Sequence, residues 1–168
     1  VPLVVPEVNP DHIPQYKRKG IIANPNCSTI QAVMVLKPLL DAYGLRRVVY
    51  STYQAVSGAG VQGYQDLEAG LKGTAPAKFP HPIANNILPH IDVFLDTGYT
   101  KEEQKMIDET CKILSRPDLR VTATTVRVPV FHGHCESINI ELARPYNLED
   151  VFTLFRNTPG VILEDDTQ

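Results

Sequence analysis

The sequence predicts an α+β fold: a mixed, largely antiparallel sheet with helices packed on it. Three observations carry that expectation. Two β-rich stretches, 121–130 and 135–142, follow one another late in the chain with no helix between them, whereas a doubly wound fold alternates strand and helix throughout. A segment near the start is apolar on almost every side at helical spacing, as a buried helix is. The composition, 43% hydrophobic and 21% charged over 168 residues, is that of an ordinary globular domain.

Taken in order, residues 1–8 read as a short strand that Asn9-Pro10-Asp11-His12 breaks. Residues 13–23 read as a polar loop, and its cluster Lys17-Arg18-Lys19-Gly20 is most simply a solvated charge run. After Asn24-Pro25-Asn26 a helix is expected over 28–43, with Ile30, Val33, Met34, Val35, Leu36, Leu39 and Leu40 nearly all round it. Pro38 should kink it, because proline lacks the backbone donor and crowds the preceding turn; Gly44 should stop it. Residues 46–57 read as a strand, Gly58-Ala59-Gly60 as a turn and 61–72 as a helix. Pro76, Pro80, Pro82 and Pro89 make 73–90 mostly irregular, and 91–95 is a candidate short strand. Thr100-Lys101-Glu102-Glu103 fits a capping box opening a helix to about Leu114. The two β-rich stretches follow, then a last helix from Asn147-Leu148-Glu149-Asp150 that ends before Pro159-Gly160, and Val161-Ile162-Leu163 looks like the start of one more strand.

Several classes of function are disfavoured. A net charge of −3 gives no electrostatic footprint for nucleic acid or an anionic membrane. No run of apolar residues is long enough to span a bilayer, and Val1-Pro2-Leu3-Val4-Val5-Pro6-Glu7 lacks the basic start of a signal peptide. An odd count of 3 cysteines argues for a reducing, cytoplasmic setting rather than a disulfide framework.

The sharpest chemical feature is Asn24-Pro25-Asn26-Cys27-Ser28-Thr29, where a cysteine falls at the start of a helix. Free N–H groups and the helix dipole favour a thiolate there; the bland alternative is a small buried hydrophobe. Cys111 lies within a helix and Cys135 within a strand, without that advantage. Of five histidines, His12, His81 and His90 sit in loop sequence. His134 shares strand parity with Ile138, Ile140 and Leu142 and so should face inward, with Cys135 on the opposite face. His132 and His134 together suggest a metal, but no third ligand is near, and no metal is expected. Arg127 interrupts an apolar strand, as either an anion-binding fork or an edge-strand charge. Glu109 and Lys112, three apart on one helix face, are by default a surface ion pair. Gly58-Ala59-Gly60-Val61-Gln62-Gly63 matches GxGxxG, yet the strand and acidic residue that a dinucleotide site needs do not follow at the right distance.

Together these blocks resemble the aspartate-semialdehyde dehydrogenase family: Asn24-Pro25-Asn26-Cys27-Ser28-Thr29, Tyr53-Gln54-Ala55-Val56-Ser57-Gly58-Ala59-Gly60, Glu109-Thr110-Cys111-Lys112-Ile113-Leu114, and Arg127-Val128-Pro129-Val130 leading to His134. The resemblance implies a glyceraldehyde-3-phosphate-dehydrogenase-like C-terminal fold. It implies Cys27 as nucleophile, His134 as acid/base and Gln54 as positioner of the acyl intermediate. Arg127 and Glu109 would hold substrate, Asn26 and Lys112 phosphate, and Ser57 and Gly58 the nicotinamide end of NADP. By the same resemblance, 1–23 is the end of a dinucleotide-binding domain with its connecting loop, and 24–168 a catalytic and dimerisation domain cut short at its C-terminus. A homodimer, no nucleic acid and no membrane partner are implied, and the fragment alone is expected to be inactive. The alternatives are a relative of N-acetyl-glutamyl-phosphate reductase, disfavoured because Glu109 suits a free ammonium, or a noncatalytic dimerisation module.

Overall fold

The computed structural model describes residues 1–166. Its regular elements are α1 (Cys27–Tyr43), β1 (Leu45–Gln54), α2 (Val61–Leu71), α3 (Lys101–Ile113), β2 (Arg120–Arg127), β3 (His134–Leu142) and α4 (Leu148–Arg156), with 3₁₀ turns at Pro10–Arg18 and Val56–Ala59. The strands form one sheet in the order β2-β1-β3. Arg120 Nε reaches the Arg46 carbonyl and the Val128 N–H reaches Gln54, so numbering rises together along β1 and β2. Ala143 bonds to Gly44 while the Ala55 N–H reaches His134, so β3 runs the other way. The sheet is therefore mixed, inside an α+β fold. Contacts divide the chain into two compact units: Val1–Val48, Asp108–Val121 and the residues from Asn139 onward make the first, Val49–Ile107 and Thr122–Ile138 the second.

In the first unit, α1 begins one residue earlier than its apolar pattern suggests, because Asn26 caps it, its side-chain oxygen accepting the N–H groups of Ser28 at 2.9 Å and Thr29 at 3.2 Å. Ala32, Val33, Leu36 and Leu39 are buried and Met34, Val35 and Leu40 half-buried, as the nearly all-round pattern requires. Pro38 lies inside the helix. α4, capped by Asn147, packs against α1.

The start of the chain departs from expectation. Leu3 makes a single parallel bridge to Ala23 rather than a strand. Proline at 2 and 6 removes ladder donors, and Asn9 closes the segment on itself, accepting the Val5 N–H and donating to the Leu3 carbonyl, both at 2.9 Å. Part of the expected loop at 13–23 is the 3₁₀ turn, with proline at its start, Asp11 in its first turn and Lys17 and Arg18 in its last, each sign where the peptide dipoles favour it.

In the second unit, β1 stops at Gln54 rather than continuing to 57, since the chain turns at once into Val56–Ala59 and the Val56 N–H bonds to Val130 at 3.0 Å. Val56, Leu67, Ile83 and Leu88 form a buried cluster under Tyr64, Phe79 and Ala84. The Pro-rich segment 73–90 has no regular structure, as expected. It is held by Asp66 of α2, whose buried carboxylate accepts the N–H groups of Ala77, Lys78 and Phe79 at 2.8–2.9 Å. The expected strand at 91–95 reduces to one bridge, Phe94 to Thr100, because Asp92 takes a left-handed backbone, φ 67°. The capping box of α3 forms in both directions: the Thr100 N–H reaches Glu103 at 2.8 Å and the Glu103 N–H reaches Thr100 Oγ at 3.3 Å. Back in the first unit, no strand forms at 161–163, where the Val161 N–H turns back on the Thr158 carbonyl.

Candidate active site

The first unit gathers Asn26, Cys27 and Glu109. Cys27 is the first residue of the 17-residue α1 and is exposed, so its sulfur stands at the positive end of the helix dipole. The N–H of Asn26 donates to Glu109 Oε2 at 2.7 Å, tying α3 to the start of α1. Lys112, one turn further along α3, is exposed and donates from Nζ to the Val1 carbonyl at 3.0 Å. Cys111 has a different environment. Burial pushes its thiol pKa up, with the charges of Asp108 and Asp118 adding to the effect.

The second unit gathers Gln54, Gly58, Arg127 and His134 around the backbone of Ala55. Arg127 Nη1 donates to the Ala55 carbonyl at 2.7 Å, and the Ala55 N–H donates to His134 Nδ1 at 3.1 Å. Arg127 ends an outer strand but is only 5% exposed, which removes the edge-charge alternative. Its own backbone pairs with Leu88 in both directions, at 2.9 and 3.0 Å.

Arg127 and His134 are seven positions apart, an odd interval that would put them on opposite faces of an unbroken strand. The strand is broken: β2 ends at Arg127, Pro129 follows, and Gly133 turns the chain with φ 80°. Both side chains consequently border the same small space, since a Cβ on Gly58 would lie 2.7 Å from Arg127 Nη1 and 3.3 Å from His134 Nε2. Ser57, beside it, is half-buried. β3 alternates as expected, with His134, Glu136, Ile138, Ile140 and Leu142 half-buried and Cys135 on the exposed face. His132 is exposed, its Nδ1 3.1 Å from the Tyr64 hydroxyl.

Because the Ala55 N–H is a donor, Nδ1 of His134 must be the accepting nitrogen of a neutral ring, and the ring proton sits on Nε2. Burial pushes the His134 pKa below the ordinary 6.5; the Gly133 backbone opposes it, Arg127 reinforces it and Glu102 opposes it. Gln54 is 1% exposed, and its amide nitrogen lies 3.3 Å from Thr52 Oγ and 3.2 Å from Glu102 Oε1. The GxGxxG match is spent on local packing: a Cβ on Gly63 would stand 2.2 Å from the Val56 carbonyl oxygen, so glycine there lets α2 approach its own preceding turn. Among the described residues, no three His, Cys, Asp or Glu side chains are grouped to hold a metal, and no helix is long and apolar enough to cross a membrane.

Two carboxylates were not singled out by sequence. Glu102 passes as part of the capping box, although Glu103 alone does the capping. The available signal was its spacing, which puts it on one helix face with the buried Met106, Thr110 and Ile113. Asp66 has no sequence signal, because its three partners lie 11–13 residues away in irregular chain.

The chain belongs to the semialdehyde dehydrogenase dimerisation domain family, which matches residues 36–168. Along its whole length it is 54% identical to an aspartate-semialdehyde dehydrogenase of Aquifex aeolicus, of which it covers 52%. A crystal structure of aspartate semialdehyde dehydrogenase II from Vibrio cholerae complexed with ASA superposes with TM-score 0.95 at 46% identity, over 99% of this chain and 52% of that one. Aspartate semialdehyde dehydrogenase with NADP from Candida albicans matches with TM-score 0.66 at 33% identity, over 93% and 44%. The chain thus spans about half the length of the relatives it matches.

Proposed function

We propose that the protein carrying this chain is an NADP-dependent aspartate-semialdehyde dehydrogenase, and that this chain supplies its nucleophile, substrate clamp and dimerising surface. In that reading 1–23 closes a dinucleotide-binding half and 24–168 is the catalytic half; the partner is a second copy of the protein, and the setting is the cytoplasm. The observation that carries it is the Ala55 hub, which ties a buried arginine and a neutral histidine to one backbone residue in a close relative of that enzyme.

In the oxidative direction, the Cys27 thiolate adds to the aldehyde carbon and the carbonyl oxygen becomes that of a thiohemiacetal. NADP, when bound, accepts the hydride that leaves this carbon. The carbon–sulfur bond survives as a thioester, which keeps the acyl group reactive. Inorganic phosphate then attacks, releasing aspartyl phosphate and the thiolate; biosynthesis runs the same steps backwards. His134 serves the substrate oxygen through its Nε2 proton, where negative charge gathers as sulfur adds. Taking up a second ring proton requires Nδ1 to release the Ala55 amide, so neutral His134 acts as a hydrogen-bond donor that keeps its Nε2 proton, and the proton of the thiohemiacetal hydroxyl is taken from and returned to water. Arg127 offers a planar fork to the substrate carboxylate. Glu109, held at the start of α1, suits the free ammonium, while Asn26 and Lys112 serve phosphate. Gly58 fits the nicotinamide end because a side chain there would fill the space beside His134 Nε2; Ser57 is its neighbour.

The test is phosphate-dependent NADPH formation from aspartate semialdehyde. The whole protein should turn over and the 168-residue chain alone should not. No turnover by the whole protein, or turnover independent of phosphate, would sink the assignment; robust NADPH formation by the chain alone would mean that the GxGxxG turn binds dinucleotide.

A further inference from the structure

Gln54 has two amide ends, and they recognise opposite things: the nitrogen donates two hydrogen bonds, the oxygen only accepts. Which end faces substrate decides what the residue can select. Both nitrogen protons have partners here, Thr52 Oγ at 3.3 Å and Glu102 Oε1 at 3.2 Å. A hydroxyl can turn to suit either end of an amide. A carboxylate cannot, because when ionised it offers acceptors alone. Glu102 is therefore the group that discriminates.

Its surroundings separate it from a purely structural role. Glu103, its neighbour, has taken the structural work: one oxygen accepts the Thr100 N–H at 2.8 Å and the other the Thr125 N–H at 3.0 Å. Glu102 is 6% exposed on the inward face of α3. Its Oε2 faces Lys105 Nζ at 3.7 Å, and Lys105 is also 3.2 Å from Asp92. Oε2 is the oxygen toward that ammonium, and Oε1 is the one that accepts from the Gln54 amide. A carboxylate in the first turn of a helix is also favoured by the helix dipole.

We propose that Glu102 is a positioning residue for Gln54: by taking the amide nitrogen it makes the amide oxygen the end that meets substrate, so that Gln54 selects a hydrogen-bond donor. The donor is an O–H or N–H of the bound substrate, either the hydroxyl of the thiohemiacetal or the amino group. This rests on the function proposed above, and it assigns Gln54 the role of acceptor rather than of oxyanion donor.

Glu102→Gln in the whole protein is the test. A neutral amide at 102 can donate as well as accept, which frees the Gln54 amide to flip. The expected result is a fall in kcat of about tenfold or more with KM changed by less than about twofold. In a Gln54→Ala background the same substitution should cost almost nothing further, because Glu102 acts through Gln54. Equal losses in both backgrounds would overturn the proposal. A substrate lacking the amine, succinate semialdehyde, tells the donors apart: a Glu102→Gln loss that persists identifies the hydroxyl, and one that vanishes identifies the amine.

A readout without turnover separates this proposal from the functional one. In nitrogen-15 NMR spectra the Gln54 side-chain NH₂ pair should exchange slowly in the wild-type protein, and should shift in Glu102→Gln but not in the exposed control Glu68→Gln. A Gln54 pair that exchanges as fast as a surface glutamine's overturns the proposal even if Glu102→Gln fails to fold. If these NMR results hold while the wild-type protein shows no turnover, the functional assignment fails and the Glu102–Gln54 arrangement stands.

Discussion

The turn that presents Cys27 and the hub around Ala55 are built in opposite ways. Cys27 is exposed, and Asn26 shapes its turn by bonds to Ser28 and Thr29, only 2 and 3 residues away. At the hub, Arg127 reaches Ala55 across 72 residues, His134 reaches it across 79, and Glu102 reaches Gln54 across 48. The first arrangement depends on helix capping, the second on how distant segments pack. Chemistry at the first should therefore be separable from stability, whereas substitutions at the second should affect both.

Cys27→Ser tests the first half of that contrast most severely. Activity of the whole protein should fall by about 10³-fold or more, with the melting temperature unchanged to within a degree or so; a serine enzyme with substantial turnover would remove the nucleophile. Arg127→Lys should cost both properties at once. Lysine keeps the charge but not the planar fork, and burial leaves it little freedom to find a new partner. We expect KM for the semialdehyde to rise about tenfold or more and the melting temperature to drop; a lysine variant with wild-type KM would break the hub argument.

Asp66→Asn removes a carboxylate that bonds only backbone amides of the Pro-rich segment in the bonds described above, and should affect stability rather than chemistry, by about 2–3 kcal/mol, because one acceptor of charge-assisted bonds to three amides is replaced by a donor. Burial works to raise the Asp66 pKa, but the amides of Phe79, Ala77 and Lys78 outweigh it and hold the carboxyl below 3.8. Its stabilisation is complete above that pH and is lost as pH falls through the lower folded value. Urea unfolding at pH 7 and in the acid range checks both statements.

The smallest effect is the pH response of His134. Its folded pKa lies below the ordinary 6.5, so the unfolded chain binds the proton first and stability declines as pH drops from about 6.5 toward the folded value. His134→Gln should flatten that part of a urea-midpoint profile; an unchanged slope would mean that His134 is not held neutral by the fold.

The same contrast explains what could be read in advance. α1, α2, α3 and α4 were legible because caps and periodicity are local: Asn26, the Thr100–Glu103 box and Asn147 each act within one turn. Inward-facing His134 was legible from strand parity, and the bend between Arg127 and His134 from Pro129 and Gly133. The expected short strands at 1–8, 91–95 and 161–163 do not form, since apolar and β-branched residues make a strand only where a partner strand completes the ladder. Glu102 beside Gln54 depends on a pairing 48 residues long that no local pattern encodes. The link to a chemistry comes through the motifs at 24–29, 53–60, 109–114 and 127–134, not through periodicity.

Three consecutive amides converging on one carboxylate form the kind of concavity that captures small free anions elsewhere; at Ala77, Lys78 and Phe79 the captured anion is tethered to the protein's own α2. Shortening Asp66 to alanine would untether it. Formate or acetate from solution should then refill the cradle and restore part of the lost stability in a saturable, concentration-dependent way, while leaving the wild-type protein unaffected. The irregular Pro-rich stretch would in that variant behave as a receptor, its order set by the salt in the buffer.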